Sequence, residues 1–411
     1  MAAVPTFDAR RRRARPTLTP PRPPTRPRSE IVVVGAMPNR ALRLGLAAAT
    51  VVSILGTAWS LLRTYPLTVD LEIPLRATQR WIHGAPPYLA SSFQVTSGPG
   101  QPFLYPPFLL PLLAPFAALP QAPVALTWAL VCVAAALWTC RRLGLPWWSW
   151  PIALAWPPFA QALLGLNVQV LLFAAFVALF YDRPAAAAQP SDRDLARSPR
   201  PAAVDGALAA CLALLKTSQV HPWLYLARRR PRAALLGVAV AVALVLATLP
   251  LTGLGLWFDW LAQVRHAAQP GLAVGGISLL HDVPLPLALV IAGATLLLVF
   301  AVPAERAGAW VGLLTLVGSP NLHVFGLLFA LPALLAVRRE IGLAAALAIS
   351  FYTVPGAWTG VALVAGALLL STRWPALLEP AGPAGPGTRG GGRSGDAPIP
   401  AGASAPAARR P

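Results

Sequence analysis

The chain has 411 residues, 56% of them hydrophobic and 11% charged, against about 25% charged in an average soluble domain, which points to a polytopic membrane protein. A net charge of +19 does not indicate nucleic acid, because the basic residues, all Arg except Lys216, are not gathered on one folded surface. Cys132, Cys140 and Cys211 lie inside apolar runs without metal-ligand spacing, so neither a disulfide framework nor a zinc site is expected and they read as packing residues.

Residues 1–40 are rich in Arg and Pro and poor in apolar side chains, a composition that cannot bury a core and predicts a disordered cytoplasmic tail. Ala41 to Leu62 follows with Arg43 as its only charge, long enough to cross a membrane and longer than a typical signal-peptide core, so a retained helix is expected. Further apolar segments run at 103–119, 122–140, 147–163, 167–181, 204–218, 219–227, 233–251, 284–303, 307–320, 321–337, 341–354 and 356–372. The Pro residues at 146, 151, 157 and 158 mark 147–163 as short, broken or re-entrant. The fold class expected is an all-α transmembrane bundle of about 11–13 helices occupying 41–372, with larger outer loops at 63–102 and 252–283. The Gly/Pro/Arg-rich stretch 373–411 predicts a second disordered cytoplasmic tail.

Placing Arg-rich loops on the cytoplasmic side puts 183–203, 228–232, 305–306 and 338–340 inside. Only four carboxylates then fall outside, Asp70, Glu72, Asp259 and Asp282, together with His83, His221, His266, His281 and His323. Asp70 and Glu72 are the only acidic residues between Ile31 and Tyr181. A charge so rare beside a membrane span marks chemistry or, for Asp70, a helix N-cap opening at Leu71. Trp257-Phe-Asp-Trp260 reads as a short interfacial helix, by lipid anchoring or substrate contact. Lys216 closes the apolar run Ala207–Leu215; its ammonium suits an anionic lipid or phosphate, with Thr217-Ser-Gln-Val-His221 adding donors, or it snorkels from the helix end.

Thr68-Val-Asp-Leu, then Trp81-Ile-His-Gly-Ala-Pro-Pro-Tyr88, then Phe103-Leu-Tyr-Pro-Pro-Phe resembles the first outer loop and second helix of glycosyltransferase family 87, integral-membrane enzymes of the GT-C type that include polyprenol-phosphate-mannose-dependent alpha-mannosyltransferases. Asp70, Gly84, Tyr88 and Tyr105-Pro106-Pro107 carry the spacing. Gly165-Leu-Asn167-Val-Gln169 is similar to the family's Gly-Gln-x-Asn with the amides reversed; Lys216 matches a family lysine; and Ser319-Pro320, with His323 close behind, matches a late outward-facing turn.

The resemblance implies a membrane hexosyltransferase that moves a sugar, mannose, from a polyprenyl-phosphate donor to a glycolipid or polysaccharide acceptor on the outer face of the cell membrane. Asp70 is then the general base, with Lys216, Arg76 and Arg80 at the donor phosphate. Arg76 and Arg80, four residues apart, share a helical face and suit headgroup contact equally well. Glu72, Tyr88, Tyr105, Asn167, Gln169 and His323 are the substrate-pocket candidates. No cofactor, metal or nucleic acid is expected. Two other classes compete, a lipid or polysaccharide-precursor flippase and a non-catalytic assembly subunit, although the inverted repeats of many transporters are not evident.

Overall fold

Proline and glycine, more than the ends of the apolar runs, decide where helices start, break and stop. The computed structural model describes residues 40–95, 98, 100–181, 200–267, 276–281 and 283–371. The terminal tails apart from Arg40, most of the loop 183–203, and Asp282 lie outside the described residues. Fifteen α-helices occur among the described residues, and no strand. In chain order they are α1 (Arg40–Thr64), α2 (Val69–Ile82), α3 (Leu109–Ala117), α4 (Gln121–Arg142), α5 (Trp150–Ala155), α6 (Pro157–Leu164), α7 (Gln169–Tyr181) and α8 (Ala202–Leu215). They continue with α9 (His221–Arg229), α10 (Pro231–Ala267), α11 (Leu285–Leu298), α12 (Ala307–Val317), α13 (Leu331–Ala336), α14 (Arg339–Ser350) and α15 (Val354–Leu370).

The protein is an all-α membrane protein. Among the described residues three stretches are long and apolar enough to cross a bilayer, Arg40–Ile82, Gln121–Arg142 and Pro231–Ala267, and six further apolar helices have 10–17 residues. The all-α membrane class agrees with the sequence expectation, and several of the expected apolar segments form helices shorter than a full span. Pro-containing junctions cut several apolar runs short. In 103–119, Pro102, Pro106 and Pro107 delay the helix to Leu109, since proline donates no backbone hydrogen bond. The expected break in 147–163 falls at Trp156 (φ −58°, ψ 130°), which Pro157 holds in the extended region, splitting α5 from α6.

The first of these stretches comprises α1 and α2. At 25 residues α1 alone is about 37 Å long, and α2 is an amphipathic helix beyond it. Helix α10 is two helical segments meeting at the non-helical Gly253 (φ 68°, ψ 163°), a conformation that suits glycine, and the second segment carries Trp257–Trp260 as the short helix expected there.

Helices α8 and α10 approach at Gly206 and Gly237, where a Cβ on either would run into the other's backbone. Beside that crossing the Asp205 carboxylate pairs with Arg230 and with Arg200, the latter at 3.5 Å. Helix α1 is tied to α14 by Thr57 Oγ1 donating to Ser350 O at 2.7 Å. The main core gathers Phe159, Phe173, Phe176 and Phe329, with ring centroids 4.9–6.3 Å apart. Cys132 and Cys140 are buried as expected of packing residues, whereas Cys211 is exposed on α8.

Candidate active site

The α1–α2 turn is stitched to the end of α6. Thr68, left-handed at φ 63°, donates its amide to Leu164 O at 2.9 Å, and the Asp70 amide donates to Gly165 O at 2.9 Å. Both acceptors are carbonyls that the end of a helix leaves without intrahelical partners. Asp70 thereby sits in the first turn of α2, where the helix dipole favours a carboxylate. The helix opens at Val69 with Thr68 as its N-cap, so Asp70 lies inside the helix and does not cap it.

Asp70 Oδ2 accepts a hydrogen bond from Tyr65 Oη at 3.2 Å. Burial pushes the carboxyl above the usual range, while the Asn167 side chain, the Lys216 ammonium and the Tyr65 hydroxyl favour its ionised form. Asn167 is held for this by the turn it belongs to. Leu166 is left-handed at φ 56°, and Asn167 Oδ1 accepts from the Gln169 amide at 2.8 Å, opening α7.

Lys216 stands where α8 stops and the chain becomes extended (φ −138°, ψ 100°). Its Nζ lies 4.5 Å from the centre of the Phe325 ring, a cation–π contact, and Phe325 stacks with His323 at 5.1 Å.

Asp70 and Lys216 line one cavity of about 460 Å³. Tyr105, Asn167 and His323, expected from the sequence, line it too, as do Trp260, for which substrate contact was one of two readings, and Tyr65, Gln161 and Phe325, which sequence reasoning had not assigned to a pocket. The signals were faint: Tyr65 precedes Asp70 by five residues, and Trp260 lay in a tetrapeptide that lipid anchoring explained as well. Trp260 is fixed by donating Nε1–H to Leu104 O at 3.0 Å.

Other expected site residues lie elsewhere. Glu72 turns back on its own helix, accepting from Thr68 Oγ1 at 2.6 Å and from Arg76 Nη2 at 3.3 Å, because i and i+4 positions meet on a helix. Arg76 is thus paired and more than half exposed, and Arg80 donates to Pro87 O at 3.0 Å; neither lines the cavity with Lys216. Tyr88 supports the wall from behind, its Oη donating to Tyr105 O at 2.8 Å. Gln169 belongs to an adjoining chamber of about 20 Å³. Thr217 and Ser218 face the cavity, but His221 turns away to Thr295 Oγ1, 3.1 Å from its Nε2. No group of three or more His, Cys, Asp or Glu gathers among the described residues.

Residues 103–281 match the model of glycosyltransferase family 87. This supports a membrane glycosyltransferase and agrees with the resemblance read from the sequence. The family 87 match takes in Tyr105, Asn167, Gln169, Lys216 and Trp260; Asp70 and Tyr65 lie before it, and His323 and Phe325 after it. No curated protein and no solved structure matches the chain.

Proposed function

We propose that this protein is an inverting hexosyltransferase that transfers mannose from a polyprenyl-phosphate donor to a glycolipid or polysaccharide acceptor at the outer face of the cell membrane. In this reading the chain is multi-pass with both termini cytoplasmic. The observation that carries the reading is the placement of Asp70 and Lys216 on one cavity.

Asp70 takes the proton of the acceptor hydroxyl as that oxygen attacks the anomeric carbon. On the opposite side of that carbon the bond to the phosphate oxygen breaks, and the electron pair leaves with the polyprenyl phosphate. The Lys216 ammonium meets this developing charge as a cation held on the cavity wall. Tyr65 and Asn167 hold the carboxylate in place while it works. Tyr105 and Trp260 offer aromatic faces to a sugar ring, and Leu214, Leu215 and Val264 offer an apolar wall to the first isoprene units.

The test is transfer of mannose from a polyprenyl-phosphate-mannose donor to membrane glycolipid extract by the purified protein. Wild type transfers, and Asp70→Asn does not while keeping its thermal stability; near-normal turnover by Asp70→Asn overturns the base assignment.

A further inference from the structure

Lys216 is the residue that caps α8: its amide donates to Leu212 O at 3.2 Å, but its own backbone is already extended, so the helix holds it from one side only. What fixes it from the other side is a three-residue 3-10 turn, Thr217–Gln219, whose Gln219 amide donates to Lys216 O at 2.7 Å. The Gln219 side chain, 5% exposed, reaches across to α7 and donates Nε2–H to Gln169 Oε1 at 3.0 Å, and Gln169 is 1% exposed. The remaining atoms of the pair, Gln169 Nε2 and Gln219 Oε1, are one donor and one acceptor without a protein partner. The adjoining chamber of about 20 Å³ is lined by both glutamines and by Lys216. Gln169 in turn starts α7 on the Asn167 side chain, and Asn167 supports Asp70.

We infer that Gln169 and Gln219 form an amide clasp that positions Lys216 for an anionic phosphate. The turn 165–169 thereby sets both ends of the reaction site, Asp70 through Asn167 and Lys216 through the clasp. Gln169 and Gln219 are positioning residues: their effect on ligand passes through the lysine. The inference rests on the phosphate role proposed above for Lys216. Its physical basis is that a flexible four-carbon side chain delivers its charge to one point only when its backbone and surroundings are locked.

The experiment uses the full chain purified in detergent, with binding of farnesyl phosphate and of farnesol followed by tryptophan fluorescence. Gln219→Leu and Lys216→Ala each weaken farnesyl phosphate by about tenfold and leave farnesol unchanged. The double variant binds farnesyl phosphate no more weakly than Lys216→Ala alone, because the clasp acts through the lysine. Gln169→Leu repeats the Gln219→Leu result from the other side of the clasp. Equal losses for farnesol and farnesyl phosphate in Gln219→Leu mean general damage to the fold and overturn the inference. Additive losses in the double variant overturn it too, as does unchanged binding in Gln219→Leu beside a loss in Lys216→Ala, which leaves the phosphate role of Lys216 standing. Unchanged binding in Lys216→Ala removes that role and the clasp's purpose together.

Discussion

Gly165 has no side chain where Asp70 comes closest: a Cβ at that position would overlap Asp70 Oδ2 and press on Asp70 Cγ and the Tyr65 ring. The absence of one methyl group therefore lets the carboxylate lie against the end of α6 and still accept from Tyr65. Gly165→Ala must displace either the carboxylate or the turn. Overpacking of this kind costs about 1–3 kcal/mol, and transfer should fall by far more than the loss of folded protein explains. Thermal unfolding in detergent measured beside turnover separates the two effects.

The pH dependence follows from burial. Since burial raises the Asp70 carboxyl above the usual range and the proposed base is its ionised form, transfer should fall with acidification at a higher pH than for an exposed aspartate. The Tyr65 hydroxyl favours the ionised form, so Tyr65→Phe moves the acid limb of the rate profile to still higher pH. A carboxyl whose folded pKa lies above its unfolded one favours the fold most when protonated and loses that contribution as pH rises through the folded pKa. Asp70→Asn should therefore be no less stable than wild type at neutral pH.

Arg76 and Lys216 make opposite predictions for the donor phosphate. The Arg76–Glu72 pair is solvent-exposed on the arginine side, and such pairs contribute about 0.2–0.5 kcal/mol. Arg76→Ala should leave stability, turnover and donor KM within error of wild type. Lys216→Met removes the cation from the cavity and should lower kcat by about 10²–10³. Steady-state kinetics on the two variants checks both.

Trp260 joins the cavity wall to the segment leading into α3 through Leu104. Trp260→Phe keeps an aromatic face and loses one hydrogen bond, with an expected cost of about 0.5–1.5 kcal/mol in stability and little change in kcat. Trp260→Ala enlarges the cavity and should raise substrate KM while the pH profile set by Asp70 keeps its shape.

The charges were the most legible part of the site. Asp70 and Lys216 stood out because an ionised group beside apolar sequence is rare, and the structure places both on one cavity. The break at Trp156 was legible because Pro157 restricts the residue before it. What composition and spacing could not supply was direction: Arg76 and Arg80 share a helical face, yet that face meets Glu72 and Pro87 and not the cavity that holds Lys216. Gln169 was read as a pocket residue from the amide motif, and only long-range packing shows that its side chain meets Gln219. The short helix through Trp257–Trp260 was legible from its aromatic residues, and the non-helical Gly253 separates it from the long apolar segment before it.

Thr68, Leu166 and Tyr352 are the residues other than glycine with left-handed backbones among the described residues. Thr68 stands two residues before Asp70 and Leu166 directly before Asn167, and the field of Asp70 reaches the Tyr352 hydroxyl. Each such conformation costs about 1–3 kcal/mol. Selection for heat resistance would therefore tend to erode transfer activity in this protein, since the substitutions that relax the backbone most are those that slacken the frame around its carboxylate.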